Sequence, residues 1–226
     1  TWMGALAPFA KGAVLVKSKT LVVAGLAVLL ALLATAVIVW RSRAPETAAP
    51  LYYPATQTVG ALIGLPRIME LAFRKVDLEP LRRELIARAQ RDFGDANALM
   101  DLSYVLSTMG QTELALTLQT EALSLSRHFT LQSTQPEKLR LLALMMPGAL
   151  MDNMPLEFLV NGTDVTLDML YLDADPAQWP QQWPAHDVAC IAVCESPEAR
   201  SMLDLLAQHM HRLPRPTLNQ IGRAHV

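Results

Sequence analysis

The chain has little of what usually announces a chemistry. Its two cysteines, Cys190 and Cys194, are too few for a disulfide framework. They sit around an apolar run that reads as a buried strand, and no second Cys/His pair completes a tetrahedral zinc site. Only 18% of residues are charged and the net charge is −2, so there is no basic surplus to neutralise phosphates and nucleic acid is not an expected partner. Glycine-rich phosphate loops, GxSxG elbows and HExxH helices are all missing. His209 and His211 fall on different sides of one helix and make no metal pair. No catalytic, cofactor-binding or metal-binding residue is therefore assigned.

The ends are unusual. The chain opens on Thr1, and IGRAHV (residues 221–226) reads as the translated start of a sequencing-library adapter. Residues 221–226 are set aside as an artefactual tail, and both ends are expected to be cut.

Leucine, alanine and methionine dominate what is present. Residues 21–40, LVVAGLAVLLALLATAVIVW, run from Leu21 to Trp40 without a charge. A helix of that length spans about 30 Å, the thickness of a bilayer's hydrocarbon core. Lys17 and Lys19 flank it on one side, Arg41 and Arg43 on the other. It is longer than the apolar part of a secretory signal and more uniformly apolar than a core helix. A single membrane-spanning helix over 20–41 is the preferred reading, after an N-terminal segment (1–19). The lysine and arginine balance leaves its orientation open; the soluble part is placed in the cytoplasm. A proline-containing linker follows over 42–58.

Residues 59–150 carry helical periodicity. Pro66 suits a first turn, with Ile68, Leu71, Ala72 and Val76 on one face. A second helix is expected over 79–93, with Arg82, Arg83 and Arg88 on a solvated side. Then comes the first specific motif. Leu99, Leu102, Ser103 and Leu106, then Gly110, Ala115, Ala122 and Leu123, have the spacing of a tetratricopeptide repeat (TPR). Small residues let two antiparallel helices approach, large ones fill the seam, and Gly110 makes the turn. Gln119 stands where a large aromatic is usual, and Arg127 replaces the closing proline. No second clean copy appears, so neighbouring helices must act as degenerate repeats or the hairpin docks elsewhere. Residues 137–146, EKLRLLALMM, are a further helix candidate ending at Pro147-Gly148.

Past residue 150 the pattern becomes strand and helix in alternation. Residues 158–160 and 167–172 are apolar runs around an Asn161-Gly162 turn signal, 188–193 is a buried strand, and 213–218 starts another. Ser196-Pro197-Glu198 opens a helix with Met202, Leu205 and Leu206 on its apolar face. Trp179 and Trp183 cover the sheet. Asp164, Asp168, Asp173, Asp175 and His186-Asp187 read as turn and capping groups rather than a site. Glu195 and Ser196, at the carboxyl end of a strand, form a possible ligand edge.

The fold class expected is α plus α/β: a membrane helix, TPR-like hairpins, and a small incomplete Rossmann-like layer over 151–220. Several phrases also resemble a bacterial family in which TPR helices precede an ATP-grasp-like region. They are Leu51-Tyr52-Tyr53-Pro54, the repeat itself, Asn153-Met154-Pro155-Leu156-Glu157-Phe158-Leu159, His186-Asp187-Val188-Ala189, Glu195-Ser196 and Arg215-Pro216-Thr217-Leu218-Asn219. The resemblance implies that the α/β layer precedes an ATP-grasp fold. ATP and Mg would serve the full-length protein, and the residues that hold them would lie past residue 220. Two functions follow as expectations. One is a membrane-anchored TPR-type scaffold that presents a groove to a protein partner. The other is the N-terminal part of an ATP-dependent ligase. A blander possibility is that the helices merely support the α/β layer.

Overall fold

A computed structural model describes residues 60–220. The expected membrane span, the linker and the adapter-like tail lie outside the described residues, among which no helix is long and apolar enough to cross a membrane. The described part combines helices with a mixed five-stranded sheet.

Four helices come first: α1 (Leu65–Phe73), α2 (Glu79–Arg91), α3 (Ala96–Thr108) and α4 (Thr112–Leu125). Proline occupies the first turn of both α1 and α2, where its missing N–H costs nothing. Asp95 caps α3 by accepting from the Ala98 N–H at 2.8 Å, and its carboxylate also pairs with Arg88 of α2 at 2.9 Å. Gly110 turns α3 into α4 at φ +79, where a side chain would be strained. The motif residues do the packing: Leu99, Leu102, Ser103, Leu106, Ala115, Ala122 and Leu123 are all buried. Helix α3 is buried from Ala98 to Leu106 without a break, so no side of it faces solvent there. Val76 falls outside α1, which ends three residues earlier than the apolar pattern did.

The sheet has the order β1-β3-β2-β4-β5. Its strands are β1 (His128–Leu131), β2 (Leu139–Met145), β3 (Val165–Tyr171), β4 (Val188–Ile191) and β5 (Thr217–Leu218). Four strands run parallel; β1 alone is antiparallel, paired to β3 with His128 opposite Leu170. Helix α5 (Leu156–Val160) lies between β2 and β3, and α6 (Arg200–His209) between β4 and β5. The sheet thus starts at His128, well ahead of the boundary at 150 drawn from the sequence.

Three expectations are corrected here. Residues 137–146 do not form a helix: 139–145 are the central strand β2. Leucine, alanine and methionine favour helices, but burial on both faces overrides that preference and removes any alternation. Pro147-Gly148 therefore ends a strand. Residues 158–160 belong to helix α5 rather than a strand, and Gly162 (φ +80) turns the chain from that helix into β3. Ser196 does bond the Ala199 N–H at 3.1 Å, but the regular helix starts only at Arg200.

The two faces of the sheet are packed differently. Leu142, Leu144, Leu170 and Ile191 meet Met202 and Leu206 of α6, with Trp179 completing this apolar core. Trp179 and Trp183 lie edge to face at 6.4 Å, and both indole N–H groups donate to backbone carbonyls, of Asp173 and Arg212. They cover the sheet. The other face is apolar as well, with Phe129, Leu141, Met145, Leu167 and Met169 buried, and it adds polar and close contacts to the helices. Gln119 Nε2 donates to the Gly148 carbonyl at 3.0 Å while its Oε1 accepts the Gly148 N–H at 2.9 Å. Tyr104 and Tyr171 hydroxyls meet at 3.4 Å. Gly64 approaches Leu131 so closely that an added Cβ would lie 2.9 Å from its methyl group.

Candidate functional site

In open parallel sheets ligands bind outside the carboxyl ends of strands, where the chain reverses its direction of winding. Here β3 lies on one side of β2 and β4 on the other, so the reversal falls between β2 and β4. That gap is occupied by the chain itself. Asn153 uses its amide like a strand segment, accepting from the Met146 N–H at 2.9 Å and donating to the Met146 carbonyl at 2.8 Å. Asn153 also bridges Val193, the Met154 N–H reaches Ala192 O at 2.6 Å, and the Cys194 N–H reaches Asp152 O at 2.9 Å. The opening is displaced toward β5.

A cleft of about 740 Å³ lies there, large enough for a small metabolite. Val193, Cys194, Glu195 and Ser196 run along it from the end of β4. Arg200, Leu203 and Asp204 face it from α6, and Asn219 closes it from β5. Asn219 holds a positive φ of 55 and donates its amide to Ile191 O at 2.8 Å, which ties the ends of β4 and β5 together. The sequence placed Glu195 and Ser196 on this edge, and both line the cleft. It missed Arg200, Asp204 and Asn219. Arg200 and Asp204 are one helical turn apart on the same face, a spacing legible in the sequence.

The charged groups of the cleft are exposed to solvent. Glu195, Arg200 and Asp204 have no ion-pair or hydrogen-bond partner among the described residues. Ser196 is partly committed, since its oxygen accepts the Ala199 N–H. Cys194 is half-buried at the edge, while Cys190 is a buried core group whose thiol burial pushes up. Thiolate chemistry at Cys190 is disfavoured on that account.

The other acids named from the sequence are used elsewhere. Asp164 pairs with Lys138 at 2.9 Å, Asp173 with Arg127, and Asp175 caps the Ala177 N–H. Asp168 is buried and takes His128 at 2.9 Å, Thr130 at 2.6 Å and Arg140 at 3.2 Å. Burial raises its carboxyl, but the hydrogen bonds from His128 and Thr130 and the adjacent cations outweigh it and hold Asp168 below its ordinary range. Asp187 accepts the Arg140 N–H at 2.8 Å. His186 meets the Pro184 carbonyl at 2.6 Å through Nδ1, and its buried Nε2 has no partner among the described residues. None of these groups converges on the cleft. Among the described residues no group of three His, Cys, Asp or Glu side chains is placed to hold a metal ion.

Sequence reading also passed over Asp101. It is fully buried in α3 and accepts the Ile63 N–H at 2.9 Å and the Gly64 N–H at 3.0 Å, fixing the entry to α1. Burial pushes its carboxyl up to about 7, although both N–H groups favour the charged form. Comparison with known proteins finds no matching family model, no similar curated protein and no similar solved structure.

Proposed function

We propose that the α/β layer binds a small polar ligand in the cleft beside Glu195 and Ser196. On this reading it is the substrate-holding layer of an ATP-dependent ligase of the ATP-grasp type, and the TPR-like hairpin acts as its buttress. Residues 21–40 would tether it to a membrane, with the described part on the cytoplasmic side. One observation carries the reading: three charges that are unpaired among the described residues, Glu195, Arg200 and Asp204, line a cleft at the carboxyl ends of β4 and β5. All three side chains are solvent-exposed, so a ligand of complementary charge can reach them. The family phrases named above support the ligase assignment. The described residues themselves do not fit a nucleotide with its magnesium, because they contain neither a phosphate-cradling loop nor a metal-holding carboxylate set. No step through ATP or Mg is derived from them.

The test is calorimetric titration of the full chain with amino acids, short dipeptides, dicarboxylates and diamines. Binding of one charge class that is lost in Glu195→Gln or Arg200→Gln supports the cleft. Binding that survives both substitutions, or no binding at all, sinks it.

A second reading is a TPR-type scaffold with a protein partner, and one observation favours it. Phe73 is 90% exposed, on the same face of α1 as Met69, and Met69 touches Thr108 at the end of α3. Because α3 is enclosed, the partner would meet this tip rather than the inner helix of the repeat. Loss of a specific cross-link in Phe73→Ser, with stability unchanged, is its signature.

A further inference from the structure

A second pocket lies on the opposite face of the sheet, between the helices and the carboxyl ends of β2 and β3. It is small, about 20 Å³, which is room for one water-sized group. Its polar lining is Glu157, Tyr104, Tyr171, the Gln119–Gly148 seam and Asn153, whose amide is already committed to Met146, with Leu65, Met145 and Pro155 as apolar walls. Glu157 is 3% exposed, yet no cation or neighbouring side chain pairs with it among the described residues; its carboxyl reaches only its own backbone N–H. Burial pushes that carboxyl up, as expected for an acid without a counter-charge. The two phenolic oxygens stand 3.4 Å apart, a loose contact that leaves each free to accept another bond. A second, outer cavity of similar size shares Tyr104, Gln119 and Gly148 with the first and is also lined by Ser107 and the exposed Thr112.

We propose that this pocket binds an ammonium group, either the free ion or the end of a primary amine, with Glu157 as counter-charge and the Tyr104 and Tyr171 hydroxyls as further acceptors. The chemistry selects this class. An anion would face a buried carboxylate. A divalent metal would find one carboxylate where it needs several oxygen ligands. A quaternary amine has no N–H to donate and exceeds the space. An ammonium matches a water in size and carries the charge that Glu157 lacks. The outer cavity, with its hydroxyl-bearing mouth, gives a short alkyl chain a path to solvent.

The experiment follows melting of the full chain in ammonium, propylammonium, tetramethylammonium and potassium chlorides at equal ionic strength. Ammonium or propylammonium should raise the melting temperature, and the other two should not. A larger effect from propylammonium identifies an amine that uses the outer cavity; equal effects identify the free ion. In Glu157→Gln the apparent affinity should fall at least about tenfold, the scale of losing a charged hydrogen bond. Carbon NMR of the Glu157 carboxyl in the unsubstituted chain gives a readout independent of that variant's folding. Its titration midpoint should move down on adding amine. Equal stabilisation by potassium or tetramethylammonium, an unchanged response in Glu157→Gln, or an unmoved carboxyl midpoint each overturns the proposal.

Discussion

Both faces of the sheet bury apolar side chains, but polar contacts are added on only one of them where the helices dock. On the α6 side the contact is apolar throughout, from Leu142 and Ile191 to Met202 and Leu206. On the hairpin side it is pinned at polar points: Gln119 to Gly148 and Tyr104 to Tyr171, while Asp101 to Ile63 and Gly64 fixes the helices among themselves. Apolar burial is strong but undirected, whereas a buried amide that must meet one particular backbone group allows one docking geometry. Apolar burial supplies adhesion on both faces, and the polar points on the hairpin side supply register.

That contrast is open to attack by substitution. Leu206→Ala should have the largest effect, a loss of about 2 to 5 kcal/mol in denaturant unfolding, because it opens a cavity in the fully packed side. Asp101→Ala should cost about 2 kcal/mol or more, since two backbone N–H groups lose their acceptor. The pH dependence of Asp101 is distinctive. Its folded-state carboxyl is raised to about 7 from an ordinary value near 4, so the folded state holds the proton more tightly. The stability it contributes is complete below about 4 and is lost as the pH rises through 7. The advantage of the unsubstituted chain over Asp101→Asn should therefore shrink from pH 4 to pH 8; an advantage that grows would contradict the burial argument.

Gln119→Leu should cost about 1 to 3 kcal/mol by stranding the Gly148 N–H and carbonyl. Gln119→Phe puts a large aromatic at this position and should be no better, because the aromatic cannot bond the loop after β2. Recovery of full stability in that variant would show that the seam is incidental. Smallest of all, Glu195→Gln should stay within about 0.5 kcal/mol, as an exposed, unpaired group does. A large loss there would mean that the cleft carboxylate is structural.

How much of this was legible in the residues varies from element to element. The α3–α4 hairpin was plain, because large and small residues alternate at helical spacing from Leu99 to Leu123. β2 was not: LRLLALM is buried on both faces, so no period of two survives, and its residues prefer helices. β1 went unseen because four residues, HFTL, on a sheet edge carry too little pattern. Gln119 stood out as a departure from the repeat, but its partner lies 29 residues away and no local rule connects them. In the cleft, the positions of Glu195 and Ser196 at the end of a strand could be read from the buried run before them. Arg200 and Asp204 required knowing which face of α6 looks away from Leu206. Glu157 gave no signal, since one acid in a helical turn is ordinary until its surroundings close over it.

The most direct test of hairpin and sheet as one docked body is equilibrium unfolding followed by two probes in a Trp2→Phe, Trp40→Phe background. Far-ultraviolet dichroism reports chiefly the helices, and the fluorescence of Trp179 and Trp183 reports the sheet core. Coincident midpoints, moving together in Gln119→Leu, are expected. Helical signal lost at a clearly lower denaturant concentration than fluorescence would show two separate bodies and contradict the buttress.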